Sequence, residues 1–277
     1  MTGLERLSLN QKTTNTLTLP EAIELCVRHG LGSIGVWREP LAEIGVDRAR
    51  RLLEGAGLRV SSLCRGGFLT SDDPEERRRA LDDNLSAIRD AAAIGAPTLV
   101  MVVGGLPAGS KDLDGARDRM AEGIAALAPA AADHGITLGL EPMHPIFTAD
   151  RGVLSTLGQA LDLAEQFPAE WVGVVVDSYH VWWDPELARQ VNRAGERIVS
   201  FQVCDWVLPL AADTLLSRGM MGDGHIDFAA QWRLVEQAGY RGDIEVEIFN
   251  ADVWASDPDE VVASMKQRYL DLVVSGR

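Results

Sequence analysis

Residues 155–194 read STLGQALDLAEQFPAEWVGVVVDSYHVWWDPELARQVNRA. Ser155 to Phe167 is rich in Ala, Leu, Glu and Gln, which predicts a helix. Val172 to Asp177 is then a short β-branched run of strand length, and Pro185 to Ala194 is helical again. Helix, strand and helix in one stretch form the repeating unit of a parallel sheet crossed by helices. The strand ends on a carboxylate, with His180, Trp182 and Trp183 just beyond it.

The same alternation runs along the whole chain. Strands are expected at Leu4–Asn10, Ser33–Trp37, Arg59–Cys64, Thr98–Val103, Ile136–Glu141, Val172–Asp177, Ile198–Asp205 and Asp243–Phe249. Helices are expected at Pro20–His29, Asp47–Ala56, Pro74–Ile94, Asp112–His134, Ser155–Phe167, Pro185–Ala194, Asp227–Ala238 and Pro258–Val273, most of them stopped by glycine. Eight strands, each followed by a helix and with no linker between, predict one (β/α)8 barrel over residues 1–277. A doubly wound open sheet is the alternative, weakened because no G-x-G-x-x-G follows the first strand.

A chain of 277 residues, 46% hydrophobic, is long enough for a large core. Its net charge of −15 repels phosphodiester backbones and anionic lipid, so neither nucleic acid nor membrane is an expected partner. No membrane-length apolar run or secretory leader is read from it, and a cytoplasmic protein is expected. Cys26, Cys64 and Cys204 are too far apart for a C-x-x-C pair and are read as reduced, buried thiols.

Barrels carry their chemistry at the carboxyl ends of the strands. Four consecutive expected strands end on polar groups there: Glu141, Asp177, Gln202 and Glu247. Three carboxylates drawn to one axis repel one another and take up protons unless a cation neutralises them. With an amide oxygen they make a hard, oxygen-rich set that favours one divalent Mg²⁺ or Mn²⁺ over tetrahedral zinc. Asp205 is an alternative to Gln202 on its strand, and Glu245 shares the face of Glu247 but lies deeper.

Other candidates fall in the loops that follow. His144, His180 and His225 come after the fifth, sixth and seventh strands, whereas His29 and His134 sit at helix ends, where the dipole suits them. His180 is read as a substrate contact or a support for the ligands, and His144 as a similar contact. Trp37, Trp182, Trp183, Trp206 and Trp254 lie at or just beyond strand ends, where indoles suit the apolar faces of a sugar or polyol or else roof the barrel. Arg38, Arg65 and Arg218 are the loop cations available to an anionic or hydroxyl-rich substrate end, or to ion pairs that brace the loops.

With these residues in view, the chain resembles the sugar phosphate isomerase/epimerase family of the xylose isomerase-like TIM barrels. LGLEPMHP (138–145), VVVDSYHVWWDP (174–185), FQVCDW (201–206), MGDGHIDF (221–228) and GYRGDIEVEIF (239–249) are similar to that family's strand-end motifs, in order. The resemblance implies that Glu141, Asp177, Gln202 and Glu247 bind the metal, that His180 lies beside the substrate carbonyl, and that Arg218 is the arginine of the loop after strand seven. Many relatives carry His where this chain has Gln202, although hydroxypyruvate isomerases look to carry Gln.

What the resemblance implies is isomerisation or epimerisation of an α-hydroxyketone from a sugar, ketose or polyol through a cis-enediolate, with Glu141 and Glu247 as acid and base. A lyase or dehydratase acting on a keto-sugar, inosose or glycoside needs the same proton abstraction and is the alternative. An endonuclease IV-like hydrolase is disfavoured by five histidines and the charge of −15. A non-catalytic partner subunit is the remaining class. Relatives often form homo-oligomers, and nothing in the chain selects a number.

Overall fold

In the first strand, LSLN, Leu7 and Leu9 belong to the main apolar core, whereas Ser8 bonds Ser61 and Asn10 reaches the Glu245 and Glu247 carboxylates. Successive residues of a strand point to opposite faces. One face therefore serves the helices, and the other lines a narrow polar interior. The computed structural model describes residues 3–274. In it the strands β1 (Leu7–Asn10), β2 (Ser33–Trp37), β3 (Arg59–Gly67), β4 (Thr98–Val102), β5 (Thr137–Leu140), β6 (Val172–Asp177), β7 (Ile198–Val203) and β8 (Ile244–Val246) close into a barrel. Every neighbouring pair is parallel, and β1 joins β8 to β2. This is the (β/α)8 architecture the alternation predicts.

Boundaries differ where tertiary contacts outweigh local pattern. The seventh strand stops at Val203, because Asp205–Trp206 leaves the barrel to form a two-residue antiparallel ribbon with Arg218–Gly219. A helix at Arg38–Ile44, not expected from the sequence, precedes Val46–Ala56, with Gly45 between them. The last helix, Pro258–Arg268, continues as a π-helix over Tyr269–Val274. Among the described residues no helix is long and apolar enough to cross a membrane. The three cysteines are buried and unpaired.

Register brings the polar groups to one end. Asp177 is level with Gln202, and Gln202 with Glu245, across β6, β7 and β8. Gly35 makes room for the last of these, since a Cβ there would lie 2.5 Å from Glu245 Oε1. Glu141 and Glu247 each follow the last residue of a strand, yet their N–H groups still donate across the sheet. The acceptors are Met101 O at 3.2 Å and Val203 O at 3.3 Å. Both side chains are thus fixed to the barrel rim, on strands separated by β6 and β7. A groove of about 680 Å³ opens at the opposite end, among Arg59, Pro97, Val199 and Asp243. That is the face where barrels carry stability, not chemistry.

Candidate active site at the carboxyl end of the barrel

Five carboxylates and one guanidinium are buried among the described residues, and they differ in how they are satisfied. Asp205 accepts four backbone N–H groups: Trp206 and Ile226 on Oδ1 at 2.9 and 3.0 Å, Gly222 and Gly224 on Oδ2 at 2.9 and 2.8 Å. Only glycine fits at 224, where a Cβ would lie 2.0 Å from Trp206 O. Asp205 is therefore the brace of the loop after β7. Removing it strands several buried donors, so Asp205→Ala is expected to cost about 3 kcal/mol in urea unfolding. Metal content per folded molecule should stay as in the parent.

Glu245 is satisfied deeper in the barrel. It accepts from Asn10 Nδ2 at 2.5 Å, Ser61 Oγ at 2.5 Å, Ser62 Oγ at 2.9 Å and Gln202 Nε2 at 3.3 Å. Glu247 takes Asn10 Nδ2 at 3.0 Å on Oε1 and Arg218 Nη1 at 2.8 Å on Oε2. Asp177 takes the Tyr179 N–H at 2.8 Å and the same Arg218 Nη1 at 3.0 Å. One guanidinium nitrogen thus holds both carboxylates. Glu141 differs from all of these: it is buried, and among the described residues its carboxylate accepts no hydrogen bond.

Electrostatics follow from that arrangement. Burial, then Glu247 and Asp177, hold Glu141 well above the usual carboxylate range. Burial also pushes Glu247 up to about 8, against the lowering effect of Arg218. His180 is held well below its ordinary value by burial, then by Arg218 and His144. Its Nε2 lies 3.0 Å from Arg218 Nη2, and its Nδ1 lies 3.2 Å from the His144 N–H. A neutral ring carries one N–H, so it accepts from one of these donors at a time. Arg218 itself stays charged, flanked by the Tyr179 and Phe249 rings at 4.9 and 5.0 Å.

The donor set suits a divalent cation. Ligand atoms of Glu141, Asp177 and His180 lie within 4.8 Å of one another, as do those of Cys64, Glu245 and Glu247. Arg218 links the two groups through Asp177 and Glu247. Gln202 Oε1 is buried without a hydrogen-bond partner, while its amide nitrogen is used by Glu245. An amide oxygen with no partner among the described residues, level with Asp177 at the same barrel end as Glu141, fits a hard cation.

Above these groups lies a cavity of about 200 Å³, lined at its inner end by Glu141, Glu247, Arg218 and Cys64. Trp37 and Phe249 form an apolar wall, their rings edge to face at 5.6 Å. Lys12, Arg65, Phe68 and Arg151 stand toward the mouth.

Comparison with known proteins agrees with this architecture. The family model for the xylose isomerase-like TIM barrel matches residues 21–270. The chain belongs to that family. A crystal structure of protein SMc04130 from Sinorhizobium meliloti 1021 superposes with a TM-score of 0.94 at 46% identity, over 98% of this chain and 99% of that one. An inosose isomerase of Bacillus velezensis is 23% identical over 272 residues, 95% of each chain. The crystal structure of IolI protein with a bound zinc atom shares the fold, with a TM-score of 0.85 at 20% identity over 98% of this chain and 99% of that one.

Not every residue singled out in the sequence reaches the cavity of this xylose isomerase-like barrel. Arg38 is paired with Asp83 through both terminal nitrogens at 2.8 Å and braces a helix outside it. Trp182, Trp183, Trp206 and His144 form an aromatic cluster beside Tyr179, with His144 4.7 Å and Tyr179 4.8 Å from the Trp206 ring. None of the four lines the cavity. His180 is fully buried behind Arg218, so the arginine and not the histidine faces the open space. His225 is exposed, and His29 and His134 cap helix ends through Asp259 and Ala130 O. Sequence reasoning missed Asn10, Lys12, Phe68 and Arg151. Asn10 carried a signal, since it too is a polar residue ending a strand.

Proposed function

We propose that this protein is a divalent-cation-dependent isomerase or epimerase of a sugar or polyol-derived α-hydroxyketone. The observation that carries the reading is Glu141: a buried carboxylate that accepts no hydrogen bond among the described residues, sharing one small cavity with Glu247. Glu141, Asp177, Gln202 and Glu247 would hold the cation, Gln202 through its partnerless Oε1. When bound, the cation supplies Lewis-acid polarisation of the substrate's carbonyl and hydroxyl oxygens.

The chain's own groups do the rest. With the cation bound, Glu141 would be held as the carboxylate, the form that can take a proton from carbon. Glu247 is aimed by Asn10 and Arg218, so its oxygens keep one orientation for delivering or removing a proton. The two carboxylates stand on β5 and β8, with two strands between them, and so address the substrate from different sides. Proton return to the opposite face of the same carbon gives an epimer, and return to the neighbouring carbon gives an isomer. Arg218 offers fixed positive charge to an oxygen that becomes negative in the transition state, and buried neutral His180 positions it. Trp37 and Phe249 keep water from one wall.

Elemental analysis of the purified protein, then incubation with ketoses, aldoses and inososes in D₂O, tests the reading. Deuterium is expected at a carbon next to the carbonyl of one substrate, only when Mn²⁺, Mg²⁺ or Zn²⁺ is present. Loss of water to an unsaturated product would mean elimination instead. Metal-loaded protein that exchanges no carbon-bound hydrogen in any of these compounds would refute the proposal.

A further inference from the structure

The mouth of the cavity reverses the charge of the molecule. Overall 26 basic side chains face 41 acidic ones. Among the cavity-lining residues outside the buried inner end, Lys12, Arg65 and Arg151 face the single carboxylate of Glu39. Arg65 is the least compensated of them. It is partly buried, yet among the described residues its guanidinium makes no hydrogen bond and no ion pair. Its Cζ lies 4.2 Å from the centre of the Phe68 ring. Burial pulls its proton affinity down, and Arg151 does so further against the opposing influence of Glu39.

The neighbours are only loosely neutralised. Arg151 meets Asp150 and Asp213 at 3.5 Å each, longer than a charge-assisted hydrogen bond of about 2.7–2.9 Å, and its buried Nε has no hydrogen-bond partner. Lys12 Nζ bonds the neutral Asn15 Oδ1 at 3.0 Å and lies 4.7 Å from the Trp37 ring. Phe68 adds strain to the same spot. Its φ is 57°, a left-handed conformation that is costly for a bulky side chain, and its ring is 45% exposed beneath Arg65. Such strain, together with an unpaired half-buried cation, is kept where a ligand completes the contacts.

We propose that the substrate carries a carboxylate, and that Arg65, helped by Arg151 and Lys12, binds it at the cavity mouth while the α-hydroxyketone lies at Glu141 and Glu247. This rests on the function proposed above and narrows its substrate to a polyol-derived keto acid. A planar guanidinium fork matches a carboxylate in two parallel hydrogen bonds. The same fork also matches a phosphate, but the phosphate grip of such barrels is built at the loop after strand seven. Here the N–H groups of Gly222 and Gly224 are already given to Asp205.

Calorimetry with 5-keto-D-gluconate, D-fructose 6-phosphate and D-fructose tests this on the Mn²⁺-loaded and the chelator-treated protein. The keto acid is expected to bind about tenfold or more tightly than fructose, the size of one charge-assisted contact. Arg65→Met should collapse that ratio toward one, and Arg65→Lys should keep part of it. Because Arg65 gives up no hydrogen bond or ion pair among the described residues, only its contact with the Phe68 ring, the melting temperature of Arg65→Met should stay close to the parent's. Equal binding of all three ligands, a preference for the phosphate ester over the keto acid, or an undiminished ratio in Arg65→Met would overturn the assignment. A keto-acid preference that survives chelation, in protein showing no deuterium exchange, would refute the reaction proposed above and support the carboxylate site. Exchange with no keto-acid preference would remove the carboxylate site alone.

Discussion

Glu141→Gln is expected to lower metal-dependent deuterium exchange about 10²–10⁴-fold, the range that a positioned general base contributes. The amide keeps the shape of the carboxylate and removes its proton affinity. Stability should not suffer, because no side chain or backbone group donates to Glu141 among the described residues. Glu247→Gln should lose exchange to a similar degree but also melt lower, since Asn10 and Arg218 both donate to that carboxylate. Loss of a buried charge-assisted partner costs about 1.5–3 kcal/mol. Full exchange activity in Glu141→Gln, or identical melting behaviour of the two variants, would contradict the roles assigned to the pair.

The second large effect is the dependence of the metal-free protein on pH. Glu141, Asp177, Glu245 and Glu247 are all raised, with burial the leading cause in each. A group whose proton affinity is higher folded than unfolded makes its full contribution to stability below its ordinary range. That contribution is lost as pH rises through the folded value. The folded chain therefore holds more protons than the unfolded one between the ordinary carboxylate range and about 8, the level of Glu247. In the presence of a chelator the melting temperature should be highest near the ordinary carboxylate range. It should fall steadily toward alkaline pH, with roughly 3–5 kcal/mol of stability lost over that interval. Added Mn²⁺ should displace protons, flatten the profile and raise the melting temperature most at the alkaline end. A chelator-treated protein as stable at alkaline as at mildly acidic pH would show that these carboxylates are not held protonated by burial.

Both expectations turn on groups that were legible in the chain to different degrees. Glu141, Asp177, Gln202 and Glu247 stood out because each ends an apolar run, and a strand's end is written locally. What separates Gln202 from Asp205 is not local. The N–H groups of Gly222, Gly224 and Ile226 fold back onto Asp205, whereas among the described residues Gln202 Oε1 has no partner, and on that contrast Gln202 is the ligand proposed above. The tryptophans illustrate the converse. Trp182, Trp183 and Trp206 lie beyond strand ends as expected, yet Trp206 packs on Tyr179 and His144, Trp183 on His144 and Trp182 on Trp206, while Trp37 and Phe249 form the cavity wall.

The eightfold alternation, the barrel and the end at which its polar groups gather are all readable along the chain. Hydrophobic period and helix stops act over a few residues, and a one-dimensional pattern records them. What each carboxylate meets is not readable there. Ring closure sets β1 against β8, so Asn10 reaches Glu247 across 237 residues of chain, and Arg218 reaches Asp177 across 41. Which carboxylate is satisfied and which is left bare depends on those long-range hydrogen bonds. They exist only once the barrel has closed.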